Sequence, residues 1–235
     1  MAVLACNKFG PADLSRVIAL DVRAPDSLEE YDTLTPHARV LDGHGDSVAA
    51  TVVWATADTA LILTVLDSLT GRTVANRTGQ TGRLLARSEG LVSNAVAIRT
   101  LAAADTLFAA VLSTVDTVAL PADSVSDSLK VEVADTIQSA SGGDSLTVAL
   151  AGRPVVYSIT YPGSPGPVTL VTNDSTHTLV TTDTVATAVT GVAFVEVRLL
   201  GPSVPDSVVV QAIARRAVGD TVPGSPVIFV VRFQP

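Results

Sequence analysis

"LKVEVAD" (residues 129–135) places Leu129, Val131 and Val133 on one side of an extended chain and Lys130 and Glu132 on the other. A period of two is what a strand shows when one face is buried and the other meets water, whereas a helix needs apolar residues every third or fourth position. The same alternation recurs along the chain. "VAATVVW" (48–54) aligns Val48, Ala50, Val52 and Trp54 against Ala49, Thr51 and Val53. "VVYSITY" (155–161) aligns Val155, Tyr157, Ile159 and Tyr161, and "VIFVVRF" (227–233) aligns Val227, Phe229, Val231 and Phe233 with Arg232 opposite. Between these runs stand "LDGHGDS" (41–47), "SASGGDS" (139–145), "YPGSPGP" (161–167), "LGPSVPDS" and "VGDTVPGSP", rich in the Gly, Asp and Pro that make tight turns. No segment has a sustained helical apolar pattern with a cap at its start.

Composition agrees with an all-β chain. Val and Thr abound, lysines number only two (Lys8 and Lys130), and aromatics are 4% against 47% apolar residues, so aliphatic side chains must build the core. At 235 residues two cores are expected rather than one. "LAAAD" (101–105) interrupts the strand pattern and marks the boundary. The expected organisation is a leader remnant and tether over 1–15, one domain over 16–102 and a second over 106–235. The linker is short and poor in Gly and Ser, which predicts a restricted relative orientation.

Within the first domain the order of features resembles the bacterial immunoglobulin-like group 2 family. The residues that carry this are "VIALDV" (17–22), then "HARVLDGHGDSV", then "VVWATAD" with Trp54, Thr56 and Asp58, and a closing region punctuated by Gly71, Gly79, Gly82 and Gly90. The stretch between Asp58 and Gly79 is longer than the family pattern, which leaves the middle strands unassigned. The second domain resembles, more distantly, the immunoglobulin-like modules of invasin-type surface proteins through "RPVVYSIT", "GVAFVEVRLLG", "DSVVVQAIA" and "SPVIFVVRF". These resemblances imply two tandem immunoglobulin-like antiparallel β-sandwiches. They imply a non-catalytic module of a bacterial cell envelope, serving as spacer, adhesin segment or assembly part. Other envelope proteins or host and environmental surface ligands would be its partners.

The chemistry on the chain fits that expectation. A formal charge of −8 disfavours nucleic acid and anionic membrane surfaces, both of which are bound mainly through Lys and Arg. His37, His44 and His177 are far apart and no zinc-type spacing occurs, so no metal, cofactor or catalytic residue is assigned. "GHGDSV" (43–48) lacks the third glycine of a dinucleotide loop and reads as a hairpin turn. Glu89, Glu132 and Glu196 would be the raw material of a paired-carboxylate hydrolase, but Glu132 and Glu196 fall on the polar phase of strands. Many aspartates precede Ser or Thr, as at Asp26, Asp46, Asp67, Asp116, Asp144, Asp206 and Asp220. That pairing suits turns better than calcium, whose loops place acids at alternate positions. Asn76 and Asn173 each begin an N-glycosylation triplet that chance explains, and Arg215-Arg216 reads as a solvated strand end. Trp54 reads as the plug of a sandwich core rather than a sugar platform. The alternative function, a carbohydrate- or ligand-binding accessory domain, would need an exposed cluster among Tyr31, Tyr157, Tyr161 and Phe194.

The lone cysteine bears on location. Val3-Leu4-Ala5-Cys6 resembles a bacterial lipobox, with Leu4 bulky for its place, and "NKFGPADLS" (7–15) would tether a lipidated Cys6 to the first strand. A charged segment and an apolar run of about 7–15 residues should precede such a box. They are expected from an in-frame extension upstream of Met1. Cys6 is thus the candidate lipid-attachment residue, and membrane contact is expected only through it.

Overall fold

A computed structural model describes residues 14–120, 124–138, 145–163, 166–171 and 179–234. Every regular element among them is a strand. The chain divides into two compact units between Ala102 and Ala103.

The first unit contains β1 (Val17–Arg23), β2 (Ser27–Glu29), β3 (Thr33–Leu34), β4 (His37–Asp42), β5 (Val53–Thr56), β6 (Leu63–Val65), β7 (Thr73–Ala75), β8 (Thr81–Ser88), β9 (Leu91–Val92) and β10 (Val96–Leu101). One sheet runs β2-β10-β8-β5, with β9 folded back on β8. The other side consists of the β1-β4 pair and the β3-β7-β6 ladder. Pro36 lies between β3 and β4, has no N–H to give, and divides what would otherwise be one strand. In immunoglobulin terms β1, β4, β7 and β6 take the A, B, E and D places, and β10, β8 and β5 take G, F and C.

The core lies between these layers. Leu28, Trp54, Leu84, Ala86 and Ile98 from one side meet Leu34, Leu63 and Ala75 from the other. The indole of Trp54 lies against Pro36 and the bare Cα of Gly71, where a Cβ would come within 2.8 Å of the ring. Gly71 also has a φ of +77°, so both its conformation and its neighbour call for glycine. The alternation expected over 48–54 holds in burial, since Val48, Ala50, Val52 and Trp54 turn inward and their neighbours outward. The ladder itself begins only at Val53, opposite Arg87, because β8 ends one residue later at the Glu89-Gly90 turn and offers no partner beyond.

The second unit contains β11 (Thr106–Ala109), β12 (Val115–Ala119), β13 (Leu129–Gln138), β14 (Ser145–Ala149), β15 (Pro154–Tyr161), β16 (Val168–Val171), β17 (Thr182–Ala186), β18 (Val192–Leu199), β19 (Val208–Ala214) and β20 (Val227–Gln234). Its sheets are β11-β13-β18-β16, with β14 also on β13, and β12-β20-β19-β15-β17. They reproduce the A-B-E-D and G-F-C orders, with β17 added beside C and β12 beside G. Leu129, Val131, Val133, Phe229 and Val231 are buried as their alternation requires. Tyr161 departs from it: the register of β15 against β19 shifts between Ile159 and Tyr161, and this bulge turns Tyr161 out to 53% exposure while Tyr157 stays fully buried. Ala104, within the expected linker, is buried, and the N–H of Asp105 donates to Ala134 O at 3.0 Å, so the second unit is already engaged there.

Both units share one pairing: a short strand near the entry lies parallel to the exit strand. In the first, β2 pairs with β10 through three register positions, and in the second β12 pairs with β20 through five.

Candidate functional site

Most polar side chains that the structure brings together organise the backbone of their own domain. The Asp42 carboxylate, nearly buried, accepts from the N–H groups of His44 (2.9 Å) and Asp46 (3.0 Å), closing the hairpin turn expected at "GHGD". Asp67 accepts from Leu69 (2.9 Å) and Thr70 (3.4 Å), and these hydrogen bonds hold its carboxyl below the usual range. The Asp67 contacts are the turn chemistry expected where Asp precedes Ser, here Ser68. Among the described residues no group of three or more His, Cys, Asp or Glu side chains is arranged to hold a metal.

Asp58 makes a close charged contact in the first domain. It accepts from the Arg83 backbone N–H (2.6 Å), from Nε (2.9 Å) and from Nη2 (2.7 Å), fastening the C–D connection to β8. The hydrogen bonds from the Arg83 side chain, ahead of burial, which acts oppositely, hold the Asp58 carboxyl below the usual carboxylate range. A lowered folded-state pKa means the contribution is complete above an ordinary aspartate's pKa, about 3.9, and fades as pH falls through the lower folded value. Asp58→Asn is therefore expected to lower the first domain's melting temperature near neutral pH. The gap from wild type should close in strong acid, as calorimetry across pH would record; a gap independent of pH would refute the assignment.

In the second domain Arg216 is an anchor rather than the solvated strand end expected. Its Nε donates to Ala104 O (3.0 Å) and its Nη2 to Asp105 Oδ1 (2.9 Å), joining the F–G connection to the start of the domain. Arg215 is exposed and donates to Gly219 O (2.9 Å), which does fit a strand end. Tyr157 donates its hydroxyl across the core to Ala193 O (2.8 Å), and burial pushes its pKa well up, so it stays a donor. No local motif signals either contact, because Arg216 and Asp105 lie 111 positions apart and Tyr157 and Ala193 lie 36 apart.

The aromatic candidates within the second domain do not assemble. Tyr31 is exposed on the first domain; on the second, Tyr157 is buried, Tyr161 is exposed beyond the bulge, and Phe194 is half-buried on the outer side of β18. Glu132 pairs with Val192, so Glu196 lies four positions farther along β18, about 13 Å away at strand spacing. Paired-carboxylate hydrolysis works at about 5–9.5 Å. Glu196 accepts from Ser128 Oγ (3.2 Å), and Glu89 stands at an exposed turn. His37 and His44 are exposed. The Asn76 amide donates to Thr64 Oγ1 (2.8 Å) and Leu61 O (3.1 Å). Cys6, Asn173 and His177 lie outside the described residues.

Among the described residues the second domain has open grooves. One of ≈ 470 Å³ runs between Val168, Leu179, Val180 and Leu200, and another of ≈ 330 Å³ lies under the β11–β12 connection against Leu129 and Phe229. The first carries only Thr hydroxyls among its polar side chains; in the second, Asp116 accepts the backbone N–H of Asp127 (2.9 Å). No helix among the described residues is long and apolar enough to cross a membrane.

No protein-family model and no curated protein sequence matches the chain. Among solved structures it is similar to the adhesin InvE of Yersinia pseudotuberculosis, at 17% identity and a TM-score of 0.40, covering 92% of this chain and 58% of that one. It is also similar to fibronectin(III)-like modules of Clostridium thermocellum CbhA, at 10% identity and a TM-score of 0.39, covering 92% and 94%. Domains 5-6 of the S-layer protein SbsC align at 14% identity and a TM-score of 0.32, covering 94% and 99%. This chain thus spans a little over half of the InvE chain. The immunoglobulin-like assignment stands on the strand order of the two sandwiches.

Proposed function

We propose that the protein is a non-catalytic structural or adhesive module of a bacterial cell surface whose two sandwiches carry tension along the chain. The parallel pairing of an entry strand with the exit strand in each domain carries this reading. Tension applied to the ends of a domain pulls those two strands past one another, so their hydrogen bonds are loaded together across the pulling direction. An antiparallel hairpin pulled from its open end instead loses its bonds one at a time. The resemblance of the first domain to bacterial immunoglobulin-like group 2 modules supports the envelope setting. A lipid on Cys6 would anchor one end, with another envelope protein or a surface ligand at the other. Palmitate labelling that persists in a Cys6→Ser variant would remove that anchor.

Pulling single molecules by their ends tests the mechanical role. Two unfolding events are expected, with contour gains of roughly 30 nm and roughly 45 nm at about 3.6 Å per residue. The shorter should come at lower force, since β2 meets β10 through three register positions and β12 meets β20 through five. Extension without force peaks, or the longer event first, would sink the proposal.

A further inference from the structure

We propose that the outer face of the β12-β20-β19-β15-β17 sheet is the seat of a second copy of this chain. It goes beyond the tension-bearing role and stands independently of it. An antiparallel sheet with one face in water normally turns polar side chains outward. This one does not. Val156 on β15, Val209 and Ile213 on β19, and Ile228 and Val230 on β20 all point away from the core, and strand β19, "VVVQAIA", is almost wholly apolar on both sides. Ile228 is 44% exposed, and the others are screened only partly.

Two internal comparisons show that this is not a general property of the chain. The corresponding β10-β8-β5 face of the first domain turns Arg83, Arg87 and Arg99 outward. The other sheet of the second domain presents Lys130, Glu132, Glu196 and Arg198. On the apolar face the described strands supply a single outward charge, Arg232, toward the end of β20. At its centre Gln211 donates to Ser158 Oγ (3.0 Å), so this polar pair is satisfied within the domain before anything covers it.

The occupant follows from charge and area. A chain with a net charge of −8 presents here a patch with no acid to repel its own copy. Five strands about 4.8 Å apart, each showing about three outward residues, make a face of roughly 24 by 20 Å. Two such faces packed about 10 Å apart, as sheets pack, would cover on the order of 1,000 Å² in total, the lower limit for a specific interface. That area fits a dimer of micromolar strength, formed by one patch meeting itself about a two-fold axis.

Sedimentation velocity on the full chain, from sub-micromolar to several hundred micromolar on the scale set by such affinities, tests this. A reversible dimer is expected. Ile228→Lys and Val230→Lys should each weaken it at least about 100-fold, since a charge buried without a partner is strongly unfavourable. Val92→Lys, at an exposed apolar position of the first domain, should leave it unchanged. Ile228 is exposed enough for its variant to fold if the Val230 variant does not; circular dichroism checks both. A chain monomeric at every concentration overturns the proposal, even if it binds some other partner through this face, and so does a dimer that survives Ile228→Lys.

Discussion

Trp54→Ala is expected to remove a large share of the stability of the first domain while leaving the second intact. Trp54 is 4% exposed and is the sole buried aromatic side chain among the described residues of its domain. It spans the gap between β5 and the Pro36-Gly71 side, in a core cluster whose other members are aliphatic and with its ring against the bare Cα of Gly71. Truncating a buried Trp or Phe costs about 3–5 kcal/mol, combining lost transfer energy with the cavity left behind. Here the cavity resists collapse, because its walls are the backbone at Gly71, just past a turn, and a proline ring. A domain of this size has about 5–15 kcal/mol in all, and each 1 kcal/mol moves its melting temperature by about 4–8 °C. Calorimetry should show one transition lowered by at least about 12 °C and the other unmoved. Equal movement of both, or of neither, would show that Trp54 does not hold the first core alone.

The part of this fold that was legible in the sequence is the part built on alternation. Leu129, Val131 and Val133, or Phe229, Val231 and Phe233, declare their faces because each strand has one wet side and one dry side. What alternation misses has a physical cause in each case. β2 is only three residues long and includes Glu29, fully buried beside β10, so neither length nor polarity marks it as a strand, though the parallel pairing rests on it. The Tyr161 bulge changes register through backbone geometry that side-chain pattern does not encode. The clamp of Arg216 on Asp105 joins distant residues, and a basic doublet in sequence looks the same whether solvated or anchored. Candidate chemistry was legible in a different sense. Residue types and spacings predicted that Glu132 and Glu196 lie on a polar strand face, and the ladder register then separates them beyond catalytic range.

Gly224→Ala should destabilise the second domain as selectively as Trp54→Ala destabilises the first. Gly224 has a φ of +89°, which costs a side-chain-bearing residue at least about 1–2 kcal/mol. Its position is the more serious matter. A Cβ built there falls on the carbonyl oxygen of Leu107 in β11. Backbone cannot rotate away as a side chain can, so relief requires the F–G connection to lift off β11. Lifting it strains the bond from the Leu107 N–H to Pro223 O (2.8 Å), worth about 1 kcal/mol, and pulls on the Arg216 contacts with Ala104 and Asp105. The sum is on the order of 3 kcal/mol, against about 1 kcal/mol for a typical single substitution. The calorimetric transition left unmoved by Trp54→Ala is the one expected to fall here, so each variant assigns the other's peak. Gly219→Ala gives the comparison, because its φ is also positive, at +100°, but nothing lies within 4 Å of its Cβ position. It should cost only the conformational part. If Gly219→Ala and Gly224→Ala lower the transition equally, close packing against Leu107 contributes nothing, and the F–G connection is not fastened to the first strand as the contacts require.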